Sequence, residues 1–170
     1  MRILLAADWH LGHDKLIEKA GRPPDFNERI LDNLKKVRAT ADVLIFLGDI
    51  CIRNDDQHHY RIREALGGLN QLKRWLILGN HDRKTKTWYL QHGWDFVAKE
   101  LTFDAFGLRL LFTHIPQPPG DYDINIHGHL HNTGHHPECG LHGRQRLAMS
   151  EHTYAPINLA TLLKGVKKGR

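Results

Sequence analysis

Residues 43–49, Val43-Leu44-Ile45-Phe46-Leu47-Gly48-Asp49, form an unbroken apolar run that stops on a glycine and a carboxylate. An alternating run would mark a strand with one wet face. A continuous one marks a strand covered on both faces, as in a parallel sheet. The same form recurs outward along the chain. Upstream, Ile3 to Ala7 runs into Asp8-Trp9-His10. Downstream, Trp75 to Leu78 runs into Gly79-Asn80-His81-Asp82, Leu108 to Phe112 into Thr113-His114, and Ile124 to Ile126 into His127-Gly128-His129-Leu130-His131.

Helical patterns separate the first three runs. Phe26, Ile30, Leu34, Val37 and Ala41 recur at three- and four-residue spacing. Pro23-Pro24 stops the chain before them, Asp25 is placed to cap, and Glu28 follows three residues on. Asp55 to Leu69 predicts a second helix, with Ile62, Ala65, Leu66 and Leu69 on one face. Strand, helix, strand, helix, strand predicts a parallel βαβαβ core. Leu101 to Phe106 and Leu108 to Thr113 predict a hairpin turned at Gly107. A strand is expected near Leu147 to Tyr154, and a terminal helix from Pro156. The whole, residues 1–170, reads as one domain.

What closes the strands is chemically uniform. In open α/β sheets, sites form at the carboxyl ends of strands, and here five strands bring metal-competent side chains to that edge. Asp8 and His10 are two apart, as are His129 and His131, so on regular strands each pair shares a face. Gly48 lets the backbone bend close to the site. Imidazole mixed with carboxylate suits zinc, manganese or iron better than an all-oxygen magnesium site.

Composition bounds the partners. The 170 residues carry a net charge of +5, which fits an anionic substrate. Two cysteines, Cys51 and Cys139, are too few for a disulfide framework, so a reducing cytoplasm is expected. No stretch is long and apolar enough for a signal segment or a membrane span, so no membrane partner is expected. There are 14 histidines; their order matters more than their number.

The ordered set Asp8-x-His10, Gly48-Asp49, Gly79-Asn80-His81-Asp82, His114 and Gly128-His129-x-His131 resembles the calcineurin-like metallophosphoesterase superfamily, over residues 8 to 131. The opening Asp8-Trp9-His10-Leu11-Gly12-His13 is most similar to its small bacterial and phage members. The resemblance implies a four-layer α/β sandwich of two mixed sheets flanked by helices. It implies two divalent metal ions: Asp8, His10, Asp49 and His131 around one, Asp49, Asn80, His114 and His129 around the other, with Asp49 bridging. It also implies that His81 protonates the leaving oxygen and that Asp82 orients His81 through a carboxylate hydrogen bond. Arg53, four residues after Asp49, matches an arginine that grips phosphate in the protein-phosphatase branch, although Ile50-Cys51-Ile52-Arg53-Asn54 lacks the rest of that branch's signature.

The expected reaction is hydrolysis of a phosphodiester or phosphomonoester by a hydroxide bridging the two cations. The substrate is expected to be a small phosphate ester, with a nuclease acting on DNA or RNA as the nearest alternative. A non-catalytic scaffold on the same fold, as in the retromer subunit that resembles the superfamily, is the other; the intact Asn80-His81-Asp82 argues against it. His13 and His127 read as loop and structural residues, and Arg83, Lys84 and Lys86 as a solvated basic turn. His135, His136, Cys139 and His142 match no zinc spacing.

Overall fold

The computed structural model describes residues 1–53, 55–67, 72–131, 145–148 and 153–166. In chain order the elements are β1 (Ile3–Ala6), α1 (Lys15–Ala20), α2 (Phe26–Val37), β2 (Val43–Phe46), α3 (Asp55–Ala65), β3 (Lys73–Ile77), α4 (Lys86–Gln91), β4 (Phe96–Ala98), β5 (Glu100–Ala105), β6 (Leu108–Thr113), β7 (Ile124–His127), β8 (Gln145–Leu147), β9 (Ile157–Asn158) and α5 (Leu159–Leu162). One sheet has the order β4-β3-β2-β1-β9 and the other β5-β6-β7-β8. Both are mixed. β1 to β4 run parallel and β9 joins antiparallel. β5 is antiparallel to β6, while β6, β7 and β8 are parallel. These are the two mixed sheets flanked by helices that the resemblance implies.

The unbroken apolar runs now have a cause. Successive side chains of a strand point to opposite faces. Leu4, Ala6, Leu44, Phe46 and Leu76 enter a core shared with Phe26, Ile30 and Leu34 of α2 and Ile62 of α3. Ile3, Leu5, Val43, Ile45 and Ile77 enter a second core shared with Leu110, Phe112, Ile124 and Ile126 of the other sheet. A strand that serves two cores has no polar face.

Several expectations change at element ends. Asp25 precedes α2 without capping it by a side-chain bond; its carboxylate accepts from Arg29 Nε at 2.8 Å. Glu28 accepts from Arg61 on α3 instead of closing a capping box. The hairpin strand is Glu100–Ala105, and its turn is Phe106-Gly107, both with positive φ (55° and 74°), the conformation a two-residue turn needs to match strand twist. The strand expected at Leu147 to Tyr154 is β8, which ends at Leu147; Tyr154 lies in a turn. The last helix starts at Leu159, not Pro156, because the Asn158 side chain accepts from Ala160 N at 2.8 Å and caps it there. α3 ends at Ala65; Leu69 lies outside the described residues, as do His135, His136, Cys139 and His142. Among the described residues no helix is long and apolar enough to cross a membrane.

Candidate metal centre

The loops after β1, β2, β6 and β7 meet at one edge. Those after β1 and β2 run side by side: Asp8 N donates to Gly48 O, His10 N to Asp49 O and Leu11 N to Ile50 O, each at 3.0 Å. The loop after β7 is tied to β6, with Gly128 N donating to His114 O at 3.0 Å. Asp8 (φ 54°), His10 (48°), Asp49 (60°), His129 (71°) and His131 (47°) all adopt left-handed backbone. The pairs Asp8/His10 and His129/His131 therefore do not converge by strand alternation, as expected from their spacing. β1 ends at Ala6 and β7 at His127, and tight left-handed turns beyond them aim the side chains. Such backbone at a non-glycine residue costs of order 1–3 kcal/mol and concentrates at functional sites. Burying one Leu or Ile contributes roughly 1.5–3 kcal/mol, so the two cores beneath can hold these turns.

Two groups of ligand-type atoms result, Asp8 with His10 and His131, and Asp49 with His114 and His129; within each the atoms lie within 4.8 Å of one another. Asp49 lies between them. Its Oδ2 is 3.6 Å from His10 Nε2 and 3.4 Å from His114 Nε2. Asn80 Oδ1 sits 2.9 Å from His114 Nε2 and joins the second group. His10 Nε2 and His131 Nε2 are 3.1 Å apart, as are His129 Nδ1 and His114 Nε2. His114 Nδ1 faces the Leu47 carbonyl at 2.7 Å. A carbonyl only accepts, so Nδ1 carries the hydrogen and Nε2 presents a lone pair inward. All seven residues expected as metal ligands are thus brought together.

Burial and mutual charge move the titration of these groups in both directions. Burial pushes the Asp8 carboxyl up to about 7, with His131 and His114 offsetting only part. Its Oδ2 accepts from His129 N at 2.8 Å, while buried Oδ1 has no hydrogen-bond partner among the described residues and lies 3.8 Å from His131 Nε2. Burial pulls His10 down to about 3 against the opposing charge of Asp49, and burial also lowers His129. For Asp49, burial acts upward, but the His114 hydrogen bond and charge outweigh it and hold the carboxyl below its usual range. His114 goes the other way: burial acts downward, but the hydrogen bond and charge of Asp49 outweigh it and raise its pKa. Imidazoles of His10 and His129 held neutral by burial, set beside carboxylates and a carboxylate oxygen without a hydrogen-bond partner among the described residues, make a donor set that suits a divalent cation.

Around this cluster, His81 donates its backbone N–H to Asp49 Oδ1 at 2.9 Å. Its half-exposed side chain has Nε2 4.0 Å from Asp49 Oδ2. Asp82 does not orient His81. Its carboxylate accepts from the backbone N–H groups of Gly79 (2.8 Å), Asp49 (2.9 Å) and Ile50 (3.2 Å), so it pins the loops after β2 and β3 together. That approach is close: a Cβ on Gly79 would sit 2.2 Å from Asp49 Oδ1. Arg53, exposed and left-handed at φ 66°, lines a cleft with His13, Cys51, Ile52, Asp55, His81 and Arg83. His13 is a wall of that cleft, not a remote loop residue. His127 is fully buried in β7, its Nδ1 2.8 Å from Gly128 O.

One residue of consequence escapes sequence reasoning. Arg22 is buried beneath the first ligand loop; its guanidinium donates to the carbonyls of Trp9 and, at 2.8 Å, Asp8, and stacks over Phe26. It secures the turn that carries Asp8 and His10. Nothing in Gly21-Arg22-Pro23 announces this, because the partners are backbone atoms.

Known proteins resemble this chain in overall fold. A structure from Aquifex aeolicus, described as a protein of unknown function, is 26% identical with a TM-score of 0.77, covering 96% of this chain and 98% of that one. The Pseudomonas putida nuclease MPE is 25% identical with a TM-score of 0.52, covering 76% of this chain and 61% of the nuclease. No curated protein matches the chain by sequence. The family model for calcineurin-like phosphoesterases matches residues 1–152, and the chain belongs to the calcineurin-like phosphoesterase family.

Proposed function

We propose that this chain is a two-metal phosphoesterase that hydrolyses phosphate esters, diesters foremost. The observation that carries the reading is the place of Asp49: one carboxylate within 3.6 Å of histidines from both ligand groups. Asp8, His10, Asp49 and His131 would hold one divalent cation, and Asp49, Asn80, His114 and His129 the other. Manganese, zinc and iron fit this mixed donor set. When bound, such a pair supplies Lewis acidity, lowering the pKa of a water and neutralising charge on phosphoryl oxygens.

The chain's own residues do the rest. His81 stands half-exposed at the rim, anchored by its backbone to Asp49, and its Nε2 gives a proton to the leaving oxygen. Asp82 keeps that loop in place through three backbone amides. Arg53, a planar fork on the same cleft, takes a phosphoryl oxygen. The free, buried Cys51 accords with a reducing cytoplasm as the place of action.

The test pairs elemental analysis with hydrolysis of bis-p-nitrophenyl phosphate by manganese-reconstituted protein. Two metal ions per chain with turnover is the expected result; one ion per chain, or two with no turnover on any diester or monoester, overturns the reading. A nuclease is the second reading, favoured by the likeness to the Pseudomonas putida nuclease. The scaffold reading is disfavoured by His81, which a pure binding protein has no use for at the mouth of a metal-ligand cluster.

A further inference from the structure

The loop after β3 carries Arg83 and Lys84, Lys86 opens α4, and the structure separates the tasks of these three basic residues. Lys84 Nζ is 3.5 Å from Asp55 Oδ2 and 5.4 Å from the Trp88 ring centre. Lys86 Nζ lies over the Phe96 ring at 6.0 Å. Arg83 makes no hydrogen bond, ion pair or ring contact among the described residues, and it lines the cleft of about 400 Å³ whose walls include His81, Arg53 and His13. Among the described residues that line it, the one carboxylate is already engaged: Asp55 accepts from Cys51 Sγ at 3.1 Å and pairs with Lys84. A second cleft of about 280 Å³ shares His13, Ile52 and Arg53 and continues to Lys15. That second cleft also holds Asp14, so across the two clefts Arg53, Arg83 and Lys15 face Asp14 and an Asp55 already paired with Lys84, and the groove beside the ligand cluster is cationic at its Arg53 and Arg83 end.

His81 is the wall common to the groove and the metal-ligand cluster, so an alcohol protonated by His81 departs into the groove. We propose that the groove is an anion subsite for a second phosphate carried by the leaving group, with Arg83 as its main contact. The inference rests on the phosphoesterase reading above and names its substrate class: a phosphodiester whose leaving alcohol bears a further phosphate. A guanidinium fork meets a phosphate through two parallel charge-assisted bonds. Arg53 and Arg83 are both unengaged forks of this cleft among the described residues; with Arg53 given to the phosphoryl group under attack, Arg83 is the one left for a second phosphate. A nucleic-acid strand and a short nucleotide diester both present this chemistry.

The experiment compares kcat/KM of the manganese-reconstituted protein on three thymidine dinucleotides: without a terminal phosphate, with one at the 5′ end and with one at the 3′ end. Using both ends covers either direction of cleavage. One phosphorylated form is expected to exceed the plain dinucleotide by about tenfold, the scale of one charge-assisted bond. Arg83→Gln should reduce that ratio to within about twofold of unity, and Lys86→Gln should leave it unchanged. Equal rates on all three substrates, or a gain that survives Arg83→Gln, overturns the subsite while leaving the phosphoesterase intact. Failure to hydrolyse these and bis-p-nitrophenyl phosphate alike overturns the reading beneath it. A further gain on a strand of twelve thymidines assigns the second phosphate to a strand, equal rates assign it to the short diester, and both outcomes support the subsite.

Discussion

At the scale of single residues, two histidine and carboxylate roles separate cleanly in experiment. His81 touches the ligand cluster only through its backbone and the rim of its ring. His81→Asn is therefore expected to keep its metal content and lose on the order of 10²–10⁴ in turnover. Parallel loss of metal and activity would make it a ligand instead. Asp49 is the reverse case: Asp49→Asn replaces an anionic oxygen facing both groups with a neutral amide, and both positions should empty in elemental analysis. Retention of a full pair would show that Asp49 is not shared. The identities of these residues were legible because metal chemistry accepts few side-chain types. Asp82 and Arg22 were not legible in the same way. Each acts on backbone groups, and a sequence pattern does not state which amide or carbonyl a loop will leave in need of a partner.

Among the elements, α3 shows how a helix can be read correctly and its face misjudged. The pattern Ile62, Ala65, Leu66 is apolar, yet the buried face also holds His58 and His59. His59 is 2% exposed and its Nδ1 accepts from Trp94 Nε1 at 3.0 Å. Burial, against the weaker opposing pull of Asp55, lowers its pKa to about 4. The folded state thus refuses a proton that the unfolded chain accepts near 6.5, so stability is whole above about 6.5 and is lost as pH falls toward 4. The difference amounts to about 3 kcal/mol. Urea unfolding from pH 7 to pH 4 should fall more steeply in the wild type than in His59→Asn, whose amide oxygen can still accept from Trp94; equal slopes would refute the assignment. Long apolar strands and α2 were readable because two cores demand an unbroken run. The short elements α1, α4, β4 and β9 were not, since six residues or fewer show no period, and the left-handed turns at the ligands leave no trace except at glycine.

For the molecule as a whole, the position of the cluster would make the proposed metal binding and folding one equilibrium. His10 and His131, whose Nε2 atoms are 3.1 Å apart, are separated by 121 residues, and Asp49 and His114 come from different sheets. No local segment can assemble this set, so on the two-metal reading proposed above the unfolded chain should bind a cation weakly and the folded chain strongly. A ligand that binds only the folded state stabilises it by about 2.7 kcal/mol per site at 100 times its Kd. For a chain of this length each kcal/mol moves Tm by roughly 2–4 °C, so saturating manganese should raise Tm by about 5–10 °C per occupied site. A chelator should reverse the shift, and Asp49→Asn should abolish most of it. A melting temperature indifferent to manganese, zinc and iron would mean that these side chains, although gathered, do not form a cation site.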